Sequence, residues 1–313
     1  MKETFDFYNS TSIKSYNLDE TIRYQLKMLD GLDAFTRRHS ENVANITCRL
    51  CENLGLEKGF TIYCTTCAYI HDLGKMFIPP SILQKPSKLT DEEYEIMKTH
   101  TSIGYKMCMN DLKLRPYAAG ALYHHEALDG TGYPHGVVGN KIPYEAQIIR
   151  VADEFEAITA KRQYKSHIGI VDALNIMIEH ARPTPIKDST DLKKRFFNPN
   201  VGKIDKKVLK QLFKVVIDDT EYEIVARTDY VDFLQKEIKR VSHAKKYYDK
   251  YQKAKTEEKR KYIEEEAKYY LNANEKLEML PQMLVEFEEA SKIRKEHIKK
   301  LYSEVNQIKK LKI

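Results

Sequence analysis

Apolar residues recur at three- and four-residue intervals along most of this chain, the spacing that lines one face of an α-helix. Residues 1–17 are polar and patternless. A helical pattern begins at Leu18-Asp19-Glu20, breaks near Gly31, and resumes through Arg38 and His39 with Val43, Ile46 and Leu50 on one face, ending at Gly55. A second helix, from Thr61 to Ile70, leads into His71-Asp72 and then a turn at Pro79-Pro80. A third opens on Asp91-Glu92-Glu93 and carries Ile96, His100 and Ile103. A fourth, from about Pro116, ends in His124-His125, and another carries Ile148, Ile149, Val151, Ala152 and Asp153 before continuing to Arg162. The pattern predicts an all-α chain in which each helix brings a histidine or an aspartate close to its apolar face.

Between His125 and Pro143 the helical pattern fails. Four of the twelve glycines fall there, at 130, 132, 136 and 139. A loop of this length inside a compact domain is usually functional, and its glycines permit positive φ or close approach to a ligand. The plainer alternative is a tolerated surface excursion.

Length and composition set outer limits. At 313 residues, 42% hydrophobic and 31% charged, the chain can bury one substantial core and support a second element. A net charge of +6, with no basic run interleaved with stacking aromatics, argues against a nucleic-acid polymer as partner. No apolar run reaches the length of a membrane span, and Met1-Lys2-Glu3-Thr4 opens no signal peptide, so the expectation is a soluble, cytoplasmic protein without a membrane partner. Cys48-x2-Cys51 and Cys64-x2-Cys67 resemble zinc knuckles, but both pairs sit inside helical patterns where an i, i+3 spacing marks one buried face. Core packing is the expectation for them.

His71-Asp72 alone is compatible with a satisfied ion pair. Its company changes the picture: His39, His71, Asp72, His100, His124, His125 and Asp153 bring five imidazoles and two carboxylates to separate helices. Nitrogen and carboxylate donors without thiolate suit manganese, iron, nickel or zinc, and seven exceed the needs of one four-coordinate zinc. A centre of two divalent ions is therefore expected. Paired ions suit phosphoester hydrolysis, because they acidify water and neutralise charge that develops in an in-line displacement. Asp72 is the candidate bridge, since a carboxylate has two oxygens to share and a neutral imidazole one nitrogen.

The motif His71-Asp72-Leu73-Gly74-Lys75, followed by Ile78-Pro79, His100 and His124-His125-Glu126-x-x-Asp129-Gly130-x-Gly132-Tyr133-Pro134, resembles the HD-GYP family of the HD phosphohydrolase superfamily. The resemblance runs from about residue 20 to 217. It implies an all-helical domain with a bi- or trinuclear metal centre, iron or manganese in preference, that hydrolyses cyclic di-GMP to linear pGpG or GMP. It also implies that Lys75, Arg162 and Lys165 contact phosphate, that Asp72 and Lys75 serve catalysis, and that the Gly132-Tyr133-Pro134 loop shapes the cleft. Two other functions stay open: hydrolysis of a different cyclic dinucleotide such as cyclic GMP-AMP, and a receptor that binds without turnover and signals through its tail.

This chain departs from the family in four places. Phe35 stands one helical turn before His39, where trinuclear members carry glutamate, so two ions are expected, with Phe35 buried beside the site and reducing water access. Glu41 is the carboxylate that would have to reach in to change that count. Glu156 replaces the usual aspartate and Gln163 the usual proline, changes expected to alter substrate fit without touching ligands. Pro183 to Asn200 reads as an insertion, with Lys193-Lys194-Arg195-Phe196-Phe197 as a solvated loop in preference to a lid.

The expected organisation is a polar segment over 1–19, the phosphohydrolase domain over 20–217 and a helical extension over 218–313. Residues 229–313 hold 21 Lys and Arg against 16 Asp and Glu, yet apolar stripes run through Val231, Leu234, Ile238 and Val241, through Ile263, Ala267, Tyr270 and Leu277, and through Ile298, Leu301, Val305, Ile308 and Leu311. Such stripes need a partner helix, in a small bundle or across a homodimer, and the narrow, heptad-like terminal stripe favours the dimer. The tail and the Gly132-Tyr133-Pro134 loop are the expected places for a protein partner.

Overall fold

A computed structural model describes residues 34–160, 168–183, 198 and 200–313. The expected start of the first helical pattern, the residues Arg162, Gln163 and Lys165, and the Lys193–Phe197 cluster lie outside the described residues. Among the described residues every regular element is helical, in agreement with the all-α expectation. The chain divides into two compact units, Met1–Val216 with Lys310–Ile313, and Ile217–Lys309.

The first unit is built from α1 (Ala34–Asn53), α2 (Lys58–Ile70), α3 (Pro80–Leu83), α4 (Asp91–Lys98), α5 (His100–Asn110), α6 (Ala118–Tyr123), α7 (Tyr144–Thr159) and α8 (Ile170–Ala181). The start of a long helix, α9 (Lys206–Lys253), closes it. Helix α2 is the centre of the packing. Its residues Cys64 to Ile70 are all buried, and α1, α6 and α7 surround it. Leu50, Ile70, Leu73, Leu114, Ile148, Ile149, Leu174, Met177, Leu209 and Leu212 lose essentially all contact with solvent. Full burial of one such side chain contributes about 1.5–3 kcal/mol, so this core can support polar burial elsewhere. The five cysteines, Cys48, Cys51, Cys64, Cys67 and Cys108, are free and buried in the same core, as the helical spacing predicts.

The expected third helix is two. Helix α4 begins with a reciprocal cap, in which Thr90 Oγ1 accepts from the Glu93 amide and Glu93 Oε2 accepts from the Thr90 amide. It ends at Lys98, and His100 opens α5 across Thr99. Helix α7 stops at Thr159 instead of continuing to Arg162. The start of α9 is fixed by Asp205, whose Oδ1 accepts from the amides of Lys207 and Val208 at 2.6 and 2.9 Å.

After α2 the chain turns through a 3₁₀ segment, Leu73–Phe77, that packs backbone to backbone against the first turn of α5. A Cβ on Gly74 would sit 1.9 Å from the His100 carbonyl oxygen and 2.6 Å from the Gly104 amide nitrogen. Glycine at this point lets the turn that carries Asp72 and Lys75 approach the helix that carries His100.

In the second unit, α9 runs without interruption past the boundary expected at 217, because no Gly or Pro stands between Lys206 and Lys253 to stop it. It is followed by α10 (Glu257–Ala267) and α11 (Leu280–Ile308). Helix α11 lies antiparallel to α9: Gln235 Nε2 donates to Ser291 Oγ at 2.9 Å, the Arg294 guanidinium sits over the Tyr230 ring, and Lys309 Nζ donates to Glu221 Oε1 at 2.8 Å. Val241, Ala244, Ala267, Leu277 and Leu280 form a small core that Tyr247, Tyr251, Leu284 and Phe287 cover. Arg240 locks the connection after α10 by donating to Tyr270 O at 2.6 Å and to both oxygens of Glu275 at 2.7 and 2.8 Å. The apolar stripes of the tail thus pair within one chain. In the terminal stripe, expected as a seam between two chains, Val305 and Ile308 are buried within the single chain. A heptad-like stripe specifies a helical partner but not the chain that supplies it.

Gly74→Ala should lower the stability of the first unit by about 1–3 kcal/mol, the range for overpacking, and more if the turn cannot shift. Urea denaturation followed by circular dichroism measures it. An unchanged midpoint would show that the turn and α5 are not held together as described.

Candidate metal centre

The seven predicted residues come together. His39 projects from the second turn of α1 and Asp153 from α7, while His71 and His124 cap the C-terminal ends of α2 and α6 and His100 opens α5. His39, His71, Asp72, His100, His124 and Asp153 are buried, and His125 is half-buried. Donor atoms of Asp72, His100, His124 and His125 all lie within 4.8 Å of one another, and so do those of His39, His71 and Asp72.

Asp72 belongs to both groups. Its Oδ2 faces His71 Nε2 at 3.3 Å and His39 Nε2 at 3.5 Å, while its Oδ1 faces His100 Nε2 at 3.4 Å and His124 Nε2 at 3.9 Å. Asp153 Oδ1 lies 3.1 Å from His39 Nε2, and its Oδ2 lies 3.8 Å from His125 Nδ1.

Ring orientation is set from behind. Nδ1 of His71 bonds the Ala68 carbonyl at 2.6 Å, Nδ1 of His100 bonds the Met97 carbonyl at 2.7 Å, and Nδ1 of His124 bonds the carbonyls of Gly120 and Ala121 at 3.0 and 3.1 Å. A carbonyl only accepts, so each Nδ1 carries the proton and each neutral ring turns an unprotonated Nε2 inward. The His100 and His124 Nε2 atoms then face each other at 3.2 Å as two acceptors. Lone pairs in that arrangement repel unless a cation lies between them. His71 Nε2 and Asp72 Oδ1 are also buried without a hydrogen-bond partner, at a cost of about 1–3 kcal/mol each. The donor set therefore fits metal ions, and it fits two groups of donors better than one.

Protonation follows the same logic. Burial pulls the His100 imidazole down to about 4 and takes His124 and His125 well below the usual range. Burial also opposes ionisation of Asp72 and Asp153, but the imidazoles around both, with Lys75 beside Asp72, outweigh it and hold the carboxyls well below their usual value. Neutral imidazoles beside ionised carboxylates are the forms that bind metal. His39 is the exception. Burial pulls it down, yet hydrogen bonds to Asp153 and Glu156 outweigh that and push it up to about 9.

Glu156 corrects one expectation. It bonds Nδ1 of His39 directly and accepts from Asn42 Nδ2 at 3.0 Å, so the change at this position touches a candidate ligand. Phe35 corrects another: it is 37% exposed on the rim of the cavity instead of buried beside the site. Glu41 does not reach inward, since it pairs with Arg37 at 2.8 Å.

A cavity of about 510 Å³ opens onto the centre and is lined by Phe35, Lys75, Tyr94, His100, His125, Tyr133, Arg150 and Lys203, among others. Lys75 Nζ donates to Asp72 Oδ2 at 2.5 Å. The Tyr133 ring stacks on His125 with centroids 4.7 Å apart, next to Pro134. The loop that holds them is fixed by Glu126, whose carboxylate accepts from the amides of His135, Gly136 and Val137, and Gly130 and Gly136 take the positive φ that the glycine content predicts. Arg150 Nη1 donates to the His125 carbonyl at 2.9 Å and so steadies that residue. Glu156 is flagged in the sequence only as a departure from the family's usual aspartate, and Arg150 only by the cost of burying a charge on an apolar helix. Lys203 carries no motif.

An all-helical unit that gathers histidines and aspartates around His71-Asp72 in a buried cluster able to hold metal ions defines a His-Asp metal-binding domain. The HD domain family model matches residues 23–184, more than half of the chain, and the chain belongs to that family, with the motifs of its HD-GYP members. Among curated relatives, a cyclic di-GMP phosphodiesterase of Thermotoga maritima is 43% identical over 136 residues, which cover 43% of this chain and 37% of that protein. The cyclic di-GMP phosphodiesterase response regulator RpfG of Xanthomonas campestris is 38% identical over 148 residues, covering 47% of this chain and 39% of that protein. The 3'3'-cGAMP-specific phosphodiesterase 3 of Vibrio cholerae is 36% identical over 154 residues, covering 49% of this chain and 34% of that protein. The chain thus spans less than half the length of each of these relatives. Among the described residues no helix is long and apolar enough to cross a membrane.

Glu156→Ala should weaken binding of manganese to the His39 group by about 10–100-fold, the usual cost of losing an outer-shell partner of a metal-binding histidine. Equilibrium dialysis resolves it, and affinity equal to that of the parent chain would rule out a positioning role.

Proposed function

We propose that the chain is a metal-dependent phosphodiesterase that hydrolyses cyclic di-GMP to linear pGpG, GMP or both, at a centre of two divalent metal ions. The observation that carries this proposal is the double exposure of Asp72, one oxygen toward each group of imidazoles. His39, His71 and Asp153 would hold one ion with Asp72 Oδ2, and His100, His124 and His125 the other with Oδ1. Donors of this kind suit iron or manganese, and Phe35, an aromatic ring without a lone pair, adds no ligand for a third ion. When bound, the ions supply Lewis acidity toward a phosphoryl oxygen and acidify water at neutral pH.

The remaining work belongs to the chain. Lys75, on the cavity wall beside Asp72, brings a positive charge to the phosphate oxygens. Tyr133 and Pro134 form the wall over His125 and limit the orientations of the substrate. Arg162 and Lys165 complete the phosphate contacts on the strength of the family resemblance. Residues 20–217 form the phosphohydrolase domain, and 218–313 a helical extension suited to docking another protein, with 1–19 as a polar segment.

Cyclic GMP-AMP is the second candidate substrate, because relatives named for it are about as similar to this chain as those named for cyclic di-GMP. Incubation of the manganese- or iron-loaded protein with each dinucleotide, followed by chromatography, separates the two. Unchanged substrate with tight binding would identify a receptor instead.

Asp72→Ala should lose bound metal together with activity. Lys75→Ala should keep its metal and lose about 10²–10³ in kcat, as expected for removal of one preorganised charge. Elemental analysis of the parent chain should return two ions. Three tightly held ions, or two retained by the Asp72 variant, would contradict the proposed ligand roles.

A further inference from the structure

Lys203 stands far in sequence from the motif residues and yet lines the same cavity. Its backbone is tied down on both sides: its amide donates to the His180 carbonyl at 2.7 Å, and its carbonyl accepts from the Leu128 amide at 3.0 Å. Close by, the Asn198 amide donates to the Asp129 carbonyl at 2.7 Å. Asn198 and Lys203 are therefore both tied to the glycine-rich loop, which the Glu126 carboxylate itself holds through three amides. Gly202 permits the crossing. A Cβ there would lie 2.4 Å from the Ala181 carbonyl carbon and 2.7 Å from the Arg182 oxygen, so the chain passes the end of α8 only with glycine at that position.

The other basic residues on the cavity wall have their charge or donors engaged. Lys75 is bound to Asp72, and Arg150 to the His125 carbonyl and, at 3.6 Å, to Glu154. Lys203 has no carboxylate partner among the described residues. A half-buried lysine on a fixed backbone, beside a cavity and without a carboxylate partner among the described residues, has the chemistry to receive an anion.

We propose that Lys203 binds the second phosphodiester of the cyclic dinucleotide, the one that is not being cleaved. The inference rests on the substrate class proposed above. A cyclic dinucleotide carries two phosphodiesters, and only one can occupy the reacting position at Asp72. The other brings a second negative charge into the same cavity, whose wall Lys203 lines. A cation that pairs with it contributes equally before and during the reaction, so it acts on KM and leaves kcat alone. A diester with a single phosphate, such as bis(p-nitrophenyl) phosphate, has no second charge for Lys203 to meet.

The test uses the full metal-loaded chain with Lys203→Gln and Lys203→Arg, assayed on cyclic di-GMP, cyclic GMP-AMP and bis(p-nitrophenyl) phosphate, with calorimetric binding of the two dinucleotides alongside. For the dinucleotide that the parent chain uses, Lys203→Gln should raise KM and Kd by about tenfold, the loss of one hydrogen bond to a charged group, with kcat within about twofold. The ratio of kcat/KM for the dinucleotide to that for the small diester should fall by about the same factor, and Lys203→Arg should recover most of it. An equal loss on both substrates would show a structural role and overturn the proposal. So would a fall in kcat at constant KM, or no change in either constant. A parent chain that cleaves the small diester but neither binds nor cleaves a cyclic dinucleotide would instead overturn the substrate class, and the role of Lys203 with it.

Discussion

One buried carboxylate with imidazoles on both sides is the constraint that the first unit is built to satisfy. Asp72 is held out of water while each oxygen meets a different pair of ring nitrogens at 3.3–3.9 Å. Such a group is costly to bury, and the cost is repeated at His71 Nε2, which is buried without a hydrogen-bond partner. Aliphatic burial around α2, whose C-terminal half is buried directly behind the site, offsets that cost. The positions of the helices follow from the same need. Histidines at 71, 100 and 124 sit at helix ends, and each ring bonds a carbonyl three residues earlier. Carbonyls in the last turn of a helix lack intrahelical partners, so the ends of α2, α4 and α6 orient the histidine that follows within three residues, without help from distant parts of the chain.

That local orientation accounts for how much of the site was legible before any coordinates. The imidazoles and aspartates could be picked out because each stands next to an apolar stripe of regular period, and their number alone pointed beyond a single zinc. Glu156 could not be read in the same way. It lies on the same helix face as Asp153, but its partner, His39, is 117 residues earlier, and no periodicity reports a contact of that separation. Lys203 is hidden for the same reason. The break at Thr99 escaped notice because the apolar spacing carries through it from Ile96 to Ile103, whereas the backbone does not. Phe35 occupies the ligand position that the motif assigns, but the aromatic type gives no indication of whether the ring turns inward or toward the cavity mouth.

The second unit shows that a boundary between compact units need not be a boundary between helices. The two units divide at Val216 and Ile217, at the end of the resemblance, but the helix expected to end there continues to Lys253 because the residues themselves offer no reason for it to stop. Its apolar stripes were correctly seen to need partners. The choice between an internal partner and a second chain depends on the connection between α9 and α11, which Arg240 fixes by gripping Glu275 and the Tyr270 carbonyl. A contact between an arginine and a loop residue 35 positions later leaves no trace in a heptad pattern.

The buried thiols have a practical consequence. Burial pushes the Cys67 and Cys108 thiols up, Cys108 to about 12, and contact with Cys51 together with burial does the same to Cys64. Since thiolate is the reactive form, these side chains are silent toward alkylating and oxidising reagents while the core is closed. They become reactive as soon as it opens. The chain therefore carries its own chemical clock for opening of the metal-binding unit, readable by mass after brief exposure to iodoacetamide, without any label near the site.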